Sequence, residues 1–253
     1  MKKIILNILI LICFCSSCFF AHKIYDYIKD EKEQNELLKG IMNESIKKIE
    51  YNINQKNNVK NNINLPLEVD FNALKSKNTD IIGWIYSEGT PINYPIVQAK
   101  DNNYYLRRLI DGQYNQAGTI FMDYKNCSDF SDFNTIIYGH NMKNDTMFGT
   151  LTNYEKQEYY EQHKEMFLYT ENTAIKIELF AGFTTASESE IYKYPKTVAT
   201  NEELIKTAIK NSTFKSNIIP SKEDKIITLS TCSYYFENAR YVLLGVVTGI
   251  EDF

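Results

Sequence analysis

Histidine is scarce in this chain, three in 253 residues, and cysteine is little commoner at five. Three of the cysteines, Cys13, Cys15 and Cys18, fall in one apolar run, where they act as small hydrophobes. That leaves Cys127 and Cys232. Outside that apolar run, which holds Cys15 and Cys18 at Cys-x-x-Cys spacing, no such pair, His-Glu-x-x-His segment or calcium-loop pattern occurs, so no metal is indicated and no cofactor is expected. Proline and glycine are also sparse, at five and ten, whereas tyrosine and phenylalanine number 19 and 14. With β-branched runs recurring as well, nothing beyond the N-terminal quarter reads as disordered, and the apolar content suffices for a sizeable core. An excess of one charge sign is missing too. A net charge of −4 without patterning gives no footprint for nucleic acid, and no such partner is expected.

A long uncharged run is present only at the start, from Ile4 to Ala21 behind Lys2 and Lys3. It approaches the roughly 20 residues a membrane helix needs. A signal peptide is the alternative, but the segment Cys15-Ser16-Ser17-Cys18-Phe19-Phe20-Ala21 matches a small-residue cleavage site poorly. A lipoprotein reading of Cys18 is weak because Cys15 occupies the position three before it. Residues 1–21 are therefore read as an uncleaved single-pass anchor, with the N-terminus inside and the rest of the chain outside. Residues 22–64, rich in Lys, Glu, Asn and Gln, read as a helical stalk and linker: apolar residues from Ile24 to Ile49 recur at partly helical spacing. The polar gap at Glu31–Asn35 predicts a bend or two pieces, and Asn52–Asn64 a linker. A helical pair packed on the domain edge is the other reading of this segment.

From residue 65 to 253 the pattern changes to short β-like runs: Ile81–Tyr86, Ile92–Val97, Thr119–Met122, Asn134–Tyr138, Met166–Tyr169, Ala174–Thr184, Lys225–Thr231 and Tyr241–Gly249. Eight short strands predict a mainly β domain, a closed barrel or a sandwich, interrupted by helical insertions. Asp101 is placed to cap a short helix through Ile110. Thr152 with Glu155, and Thr200 with Glu203, have capping-box spacing ahead of helices near 153–164 and 201–211.

The chemistry concentrates at strand ends. Ile226-Ile227-Thr228-Leu229-Ser230-Thr231-Cys232 ends in a lone thiol, and eight residues later Arg240 opens the next apolar run. A thiolate is a strong nucleophile, and a planar five-donor cation suits a developing oxyanion. Of the three histidines only His140 ends a strand-like run, Asn134-Thr135-Ile136-Ile137-Tyr138-Gly139-His140. His163 reads as part of a solvated helix face and His22 borders the apolar run. A buried core cysteine is the bland reading of Cys232, but Ser230, Thr231, Ser233 and Tyr234-Tyr235 mark a polar strand end. A Cys127–Cys232 disulfide is disfavoured because it would consume that thiol.

These residues resemble the sortases, and within them the class B type. The resemblance rests on TLSTC at 228–232 with Arg240 beyond it, IIYGHNM at 136–142, YPIVQAKDNNYYLRR at 94–108 and GTIFMDY at 118–124, in matching order over roughly 65–250. It implies an eight-stranded sortase barrel with the 201–211 helix in the long connection before the cysteine strand. It also implies a cysteine transpeptidase that cleaves a sorting motif after threonine near the C-terminus of a surface protein. Cys232 would be the nucleophile, His140 the proton carrier and Arg240 the oxyanion donor. A thioester would then pass to a peptidoglycan precursor amine of the lipid II type. Asn102, Leu106, Tyr192 and Ser230 are implied as peptide-groove residues, with Ile191 beside them. Ser233 stands where some class B members carry an acid, and the eight-residue step from Cys232 to Arg240 is short for the family.

Alternatives are a cysteine peptidase that releases its substrate to water, a pilus-polymerising sortase, and a non-catalytic binding barrel. No Asp-Pro-aromatic lid motif supports the pilus reading, and a pure binder has no need of all three catalytic groups. The implied location is the cell membrane with the catalytic domain outside. The richness in Asn, Lys and Ile, taken with the resemblance, points to a Gram-positive source.

Overall fold

The computed structural model describes residues 2–49, 63–192 and 197–253. Helix α1 (Lys2–Ser45) leads into a two-stranded antiparallel ribbon of β1 (Ile46–Lys48) and β2 (Leu67–Val69). Helix α2 (Phe71–Lys77) follows, its N-terminus capped by Asp70, which accepts a bond from the Ala73 N–H. The remaining elements are β3 (Ile81–Tyr86), β4 (Asn93–Val97), β5 (Phe121–Met122), β6 (Asn134–Tyr138), α3 (Gln157–Gln162), β7 (Glu165–Tyr169), β8 (Thr173–Ala186), α4 (Val198–Asn211), β9 (Ile226–Cys232) and β10 (Ala239–Asp252).

Strands β3 to β10 close into an eight-stranded barrel in the order β10-β8-β7-β3-β4-β5-β6-β9. Two of its seams are parallel, β4 with β5 and β6 with β9. A parallel pair cannot be joined by a hairpin, so each needs a long crossover. The β4–β5 crossover carries residues 98–120, including Asn102 and Leu106. The path from β6 to β9 runs through β7, β8 and α4, and it brings Tyr192 back to the same end of the barrel.

Period-two alternation fills the interior and leaves two outer apolar faces. Ile85, Ile96, Ile137, Leu229 and Leu243 point inward. Ile81, Trp84 and Val97 lie in an outer cluster with Phe71 and Leu74 of α2 and Ile41 of α1. Val242 and Leu244 pack on the other side with Leu204, Ile205 and Ala208 of α4.

Helix α1 has no bend at Glu31–Asn35; it runs unbroken to Ser45. Its first half projects, with Ile4 to Phe20 exposed, and it is long and apolar enough to cross a membrane. Its last turns dock on the barrel. Asn115 donates to the Asp30 carbonyl at 2.8 Å, and Gln34 and Ile41 are buried. These contacts hold the polar stretch helical where local sequence alone favoured a break. Of the expected linker, residues 52–62 lie outside the described residues.

The caps also differ from expectation. Helix α4 starts at Val198 because Thr197, in extended conformation, forms the reciprocal box with Thr200, so Thr200 is the third helical residue rather than the cap. Thr152 and Glu155 sit within a 3-10 stretch, Gly149–Glu155, and α3 begins after Lys156 without a side-chain cap. Asp101 does cap a turn, accepting from the Asn103 and Tyr104 N–H groups. Only a single 3-10 turn, Tyr105–Arg107, follows, because Arg108 is extended and bridges to Tyr114.

Candidate active site

Backbone register assembles the site. In the antiparallel β9–β10 pair Arg240 is the direct partner of Cys232, which sets both side chains on one face of the sheet. In the parallel β6–β9 pair Tyr138 partners Ser230, and the ladder continues with the Gly139 N–H donating to the Ser230 carbonyl at 3.1 Å. His140 and Cys232, each two residues beyond the Tyr138–Ser230 pair, line the same groove. Asn141 fastens this end by donating from Nδ2 to the Cys232 carbonyl at 2.8 Å. Gly139 is required here: a Cβ would lie 2.4 Å from Ile120 Cδ1 and 2.7 Å from the Phe148 ring.

His140 Nε2 lies 2.7 Å from the Leu106 carbonyl oxygen. A carbonyl only accepts, so Nε2 carries the proton and, in the neutral ring, Nδ1 is the basic nitrogen. Burial pushes the His140 pKa below its ordinary value, opposed by the bond to Leu106 and assisted by the positive charges of Arg107 and Arg240. The imidazole is therefore neutral at neutral pH and able to receive a thiol proton. Arg240 is half-buried and donates from Nη1 to the Ala239 carbonyl at 3.0 Å. Among the described residues no carboxylate pairs with it, so the guanidinium charge stays available to a developing oxyanion. The Cys232 thiol is half-buried and free.

A groove of about 350 Å³ runs past these three residues, and all seven sequence-predicted residues line it: Asn102, Leu106, His140, Tyr192, Ser230, Cys232 and Arg240. Leu106 is 38 % exposed, which rules out a core role for its side chain. Tyr192 shares a hydrogen bond of 2.8 Å with Ser230 Oγ, and its ring stacks on Tyr138 with centroids 6.3 Å apart. Burial pushes the Tyr192 phenol up to about 12, so it is neutral across the working range. Ile191, by contrast, is buried in the cluster under α4 and forms no part of the groove.

The remaining histidines and the second thiol are elsewhere. His163 ends α3 with Nδ1 near the Glu88 carbonyl, and His22 pairs with Asp26 on the exposed part of α1. Cys127 is exposed and unbridged. Sequence reasoning missed Asp123, Tyr138 and Ser187, which also line the groove. Asp123 and Tyr138 stand inside the GTIFMDY and IIYGHNM segments, but nothing local marks them as groove residues.

With the geometry in hand, comparison with known proteins is specific. The family model described as the sortase domain matches residues 85–248. Sortase B of Listeria monocytogenes is 36 % identical over 188 residues, covering 73 % of this chain and 76 % of the relative. Among solved structures, sortase B of Clostridium perfringens superposes with a TM-score of 0.67 at 34 % identity, covering 71 % of this chain and 100 % of that one. A sortase B–substrate complex from Staphylococcus aureus gives a TM-score of 0.66 at 31 % identity, covering 70 % and 83 %.

Proposed function

Because the chain belongs to the sortase family and resembles its class B members throughout the barrel, we propose that it is a membrane-anchored cysteine transpeptidase acting on a sorting motif. The observation that carries this reading is the pairing of Cys232 with Arg240 across β9–β10, with His140 on the adjoining β6 end, all facing one peptide-sized groove.

Neutral His140 takes the Cys232 proton, and the thiolate attacks the carbonyl carbon of a threonine in the bound motif. Arg240 donates hydrogen bonds to the oxyanion of the tetrahedral intermediate. The imidazolium returns its proton to the departing amine as the C–N bond breaks, leaving a thioester on Cys232. An incoming amine attacks that thioester while His140 accepts its proton, and the thiol is regenerated. The substrate-bound S. aureus sortase B structure supports a sorting-motif peptide as the ligand of this groove. On the family analogy the acceptor is an amino group of a lipid-linked peptidoglycan precursor. Residues 1–21 serve as the anchor, 22–64 as stalk and linker, and 65–253 as the catalytic unit facing outward. The docked turns of α1 make the stalk short: Asp30 lies nine residues beyond Ala21, about 14 Å at 1.5 Å per residue.

Intact-mass spectrometry of the detergent-solubilised chain tests this, using peptides with Asn-Pro-x-Thr, Leu-Pro-x-Thr and Ser-Pro-x-Thr cores, with and without an added amine. An adduct on Cys232 that moves to the amine is the expected result. Adduct followed only by hydrolysis at every amine concentration would make the protein a peptidase. Cleavage that survives in Cys232→Ala would remove the nucleophile assignment.

A further inference from the structure

Beneath the groove, directly after β5, lies a carboxylate that no step above uses. Asp123 is 5 % exposed, and both of its oxygens are engaged. Oδ2 accepts from Asn102 Nδ2 and from the Tyr138 hydroxyl, each at 2.9 Å, while Oδ1 accepts from the Lys125 N–H at 3.0 Å. Its backbone is fixed as well: the N–H donates to the Ile136 carbonyl at 2.9 Å and its carbonyl accepts from Gln98 Nε2 at 3.0 Å. A carboxylate held at this many points does not swing.

The consequence falls on Asn102. Its Oδ1 accepts from the Tyr124 N–H at 3.0 Å, and its Nδ2 faces Asp123. A backbone N–H only donates and a carboxylate only accepts, so chemistry alone fixes which way this carboxamide points. One of its two N–H bonds goes to Asp123, and the other is the donor it has left. The second bond from Tyr138 steadies the Tyr138–Tyr192 stack, and through Tyr192 the Ser230 hydroxyl.

We propose that Asp123 is the positioning residue for peptide recognition: it locks Asn102 as a hydrogen-bond donor toward a carbonyl oxygen of the bound sorting peptide and braces the Tyr138–Tyr192 wall of the same groove. This rests on the transpeptidase reading and names the device that sets which peptide group the groove reads. Asp123→Asn tests it with almost no change of volume. The new amide puts a donor against either the Asn102 amide or the Lys125 N–H, and the Asn102 orientation loses its cause.

Two measurements on the detergent-solubilised full chain are needed. The first requires no substrate: the side-chain amide resonances of Asn102, assigned by their loss in Asn102→Ala, shift in Asp123→Asn. The second follows acylation of Cys232 against peptide concentration, using whichever of the three peptide cores the wild type accepts. Half-saturation rises about tenfold in Asp123→Asn while the limiting acylation rate stays within about threefold, as for loss of one hydrogen bond to the peptide. Asn102→Ala gives the same rise, and the double variant is no worse than either single one. Alkylation of Cys232 by iodoacetamide is unchanged in all three.

Unshifted Asn102 resonances would overturn the positioning role whatever the kinetics. So would additive losses, or a parallel fall in limiting rate, alkylation rate and melting temperature, which is the signature of a purely structural carboxylate. If no peptide acylates the wild type, the transpeptidase reading is what fails, and the amide resonances still decide whether Asp123 fixes Asn102.

Discussion

Cys232 and Arg240 stand directly opposite each other across the β9–β10 ladder, although seven residues separate them in the chain. The loop between them is closed by the Ser233 N–H to the Ala239 carbonyl at 2.9 Å and the Ala239 N–H to the Phe236 carbonyl at 3.1 Å. Strand register therefore sets the spacing of thiol and guanidinium, and the exposed aromatics Tyr234, Tyr235 and Phe236 at the tip do not enter into it. A short cysteine-to-arginine step is thus compatible with direct cross-strand pairing of the two residues.

That geometry makes Arg240 hard to replace. Lysine keeps the charge but loses the planar fork that aims two donors at one oxygen. Both Arg240→Lys and Arg240→Ala are expected to lower the single-turnover acylation rate by about 10² or more, with the iodoacetamide reactivity of Cys232 largely retained. Acylation by the lysine variant within threefold of wild type would sink the oxyanion role.

The pH dependence follows from His140. In the proposed mechanism its neutral form accepts the thiol proton, so acylation per unit peptide is expected to fall as His140 becomes protonated. Because burial and the Arg107 and Arg240 charges depress its pKa, that acid limb lies below the ordinary 6.5. Arg107 is exposed, so Arg107→Ala is a clean probe. Removing a positive charge makes the imidazolium easier to form, which raises the pKa and moves the acid limb to higher pH. Burial, the larger cause, remains, so the shift is partial. Histidine NMR titration of the two proteins reads it directly; a limb that moves to lower pH would contradict the assignment.

The eight barrel strands were legible because β-branched and aromatic runs bounded by polar turns are a local signal; the strand-end positions of Cys232, His140 and Arg240 were legible for the same reason, while the roles expected of them came from the sortase resemblance. The bend expected at Glu31–Asn35 was wrong because the contacts that keep α1 straight, such as Asn115 with Asp30, join residues 85 apart. Thr200–Glu203 fits the capping-box spacing equally well in sequence, whereas the box present is Thr197–Thr200. Asp123 went unnoticed for a similar reason. Its partners Asn102 and Tyr138 lie 21 and 15 residues away, and only closure of the barrel brings them to it.

Gly139 offers a test of how tightly the histidine strand is held. Gly139→Ala forces a methyl group into Ile120 and Phe148, which are both fully buried. Overpacking of this kind costs about 1–3 kcal/mol, or several degrees of melting temperature at about 2–4 °C per kcal/mol. Because the displaced residue adjoins His140, acylation should fall further than the fraction folded accounts for. A variant with wild-type melting and acylation would mean that the strand has room to move.

Helix α1 carries two kinds of isoleucine, one docked on the barrel and one on the part that projects from it. Ile41 is 2 % exposed against the barrel, whereas Ile24, on the projecting part of the same helix, is 60 % exposed. Ile41→Ala removes buried methyl groups and leaves a cavity beside Phe71 and Leu74, at a cost of about 2–5 kcal/mol. Ile24→Ala loses no contact with the barrel. Thermal melts of the detergent-solubilised chain should therefore show a drop of roughly 4–20 °C for the first, at about 2–4 °C per kcal/mol, and none for the second. Equal melting temperatures would mean that the last turns of α1 add nothing to the barrel, and the short stalk proposed above would have to be given up.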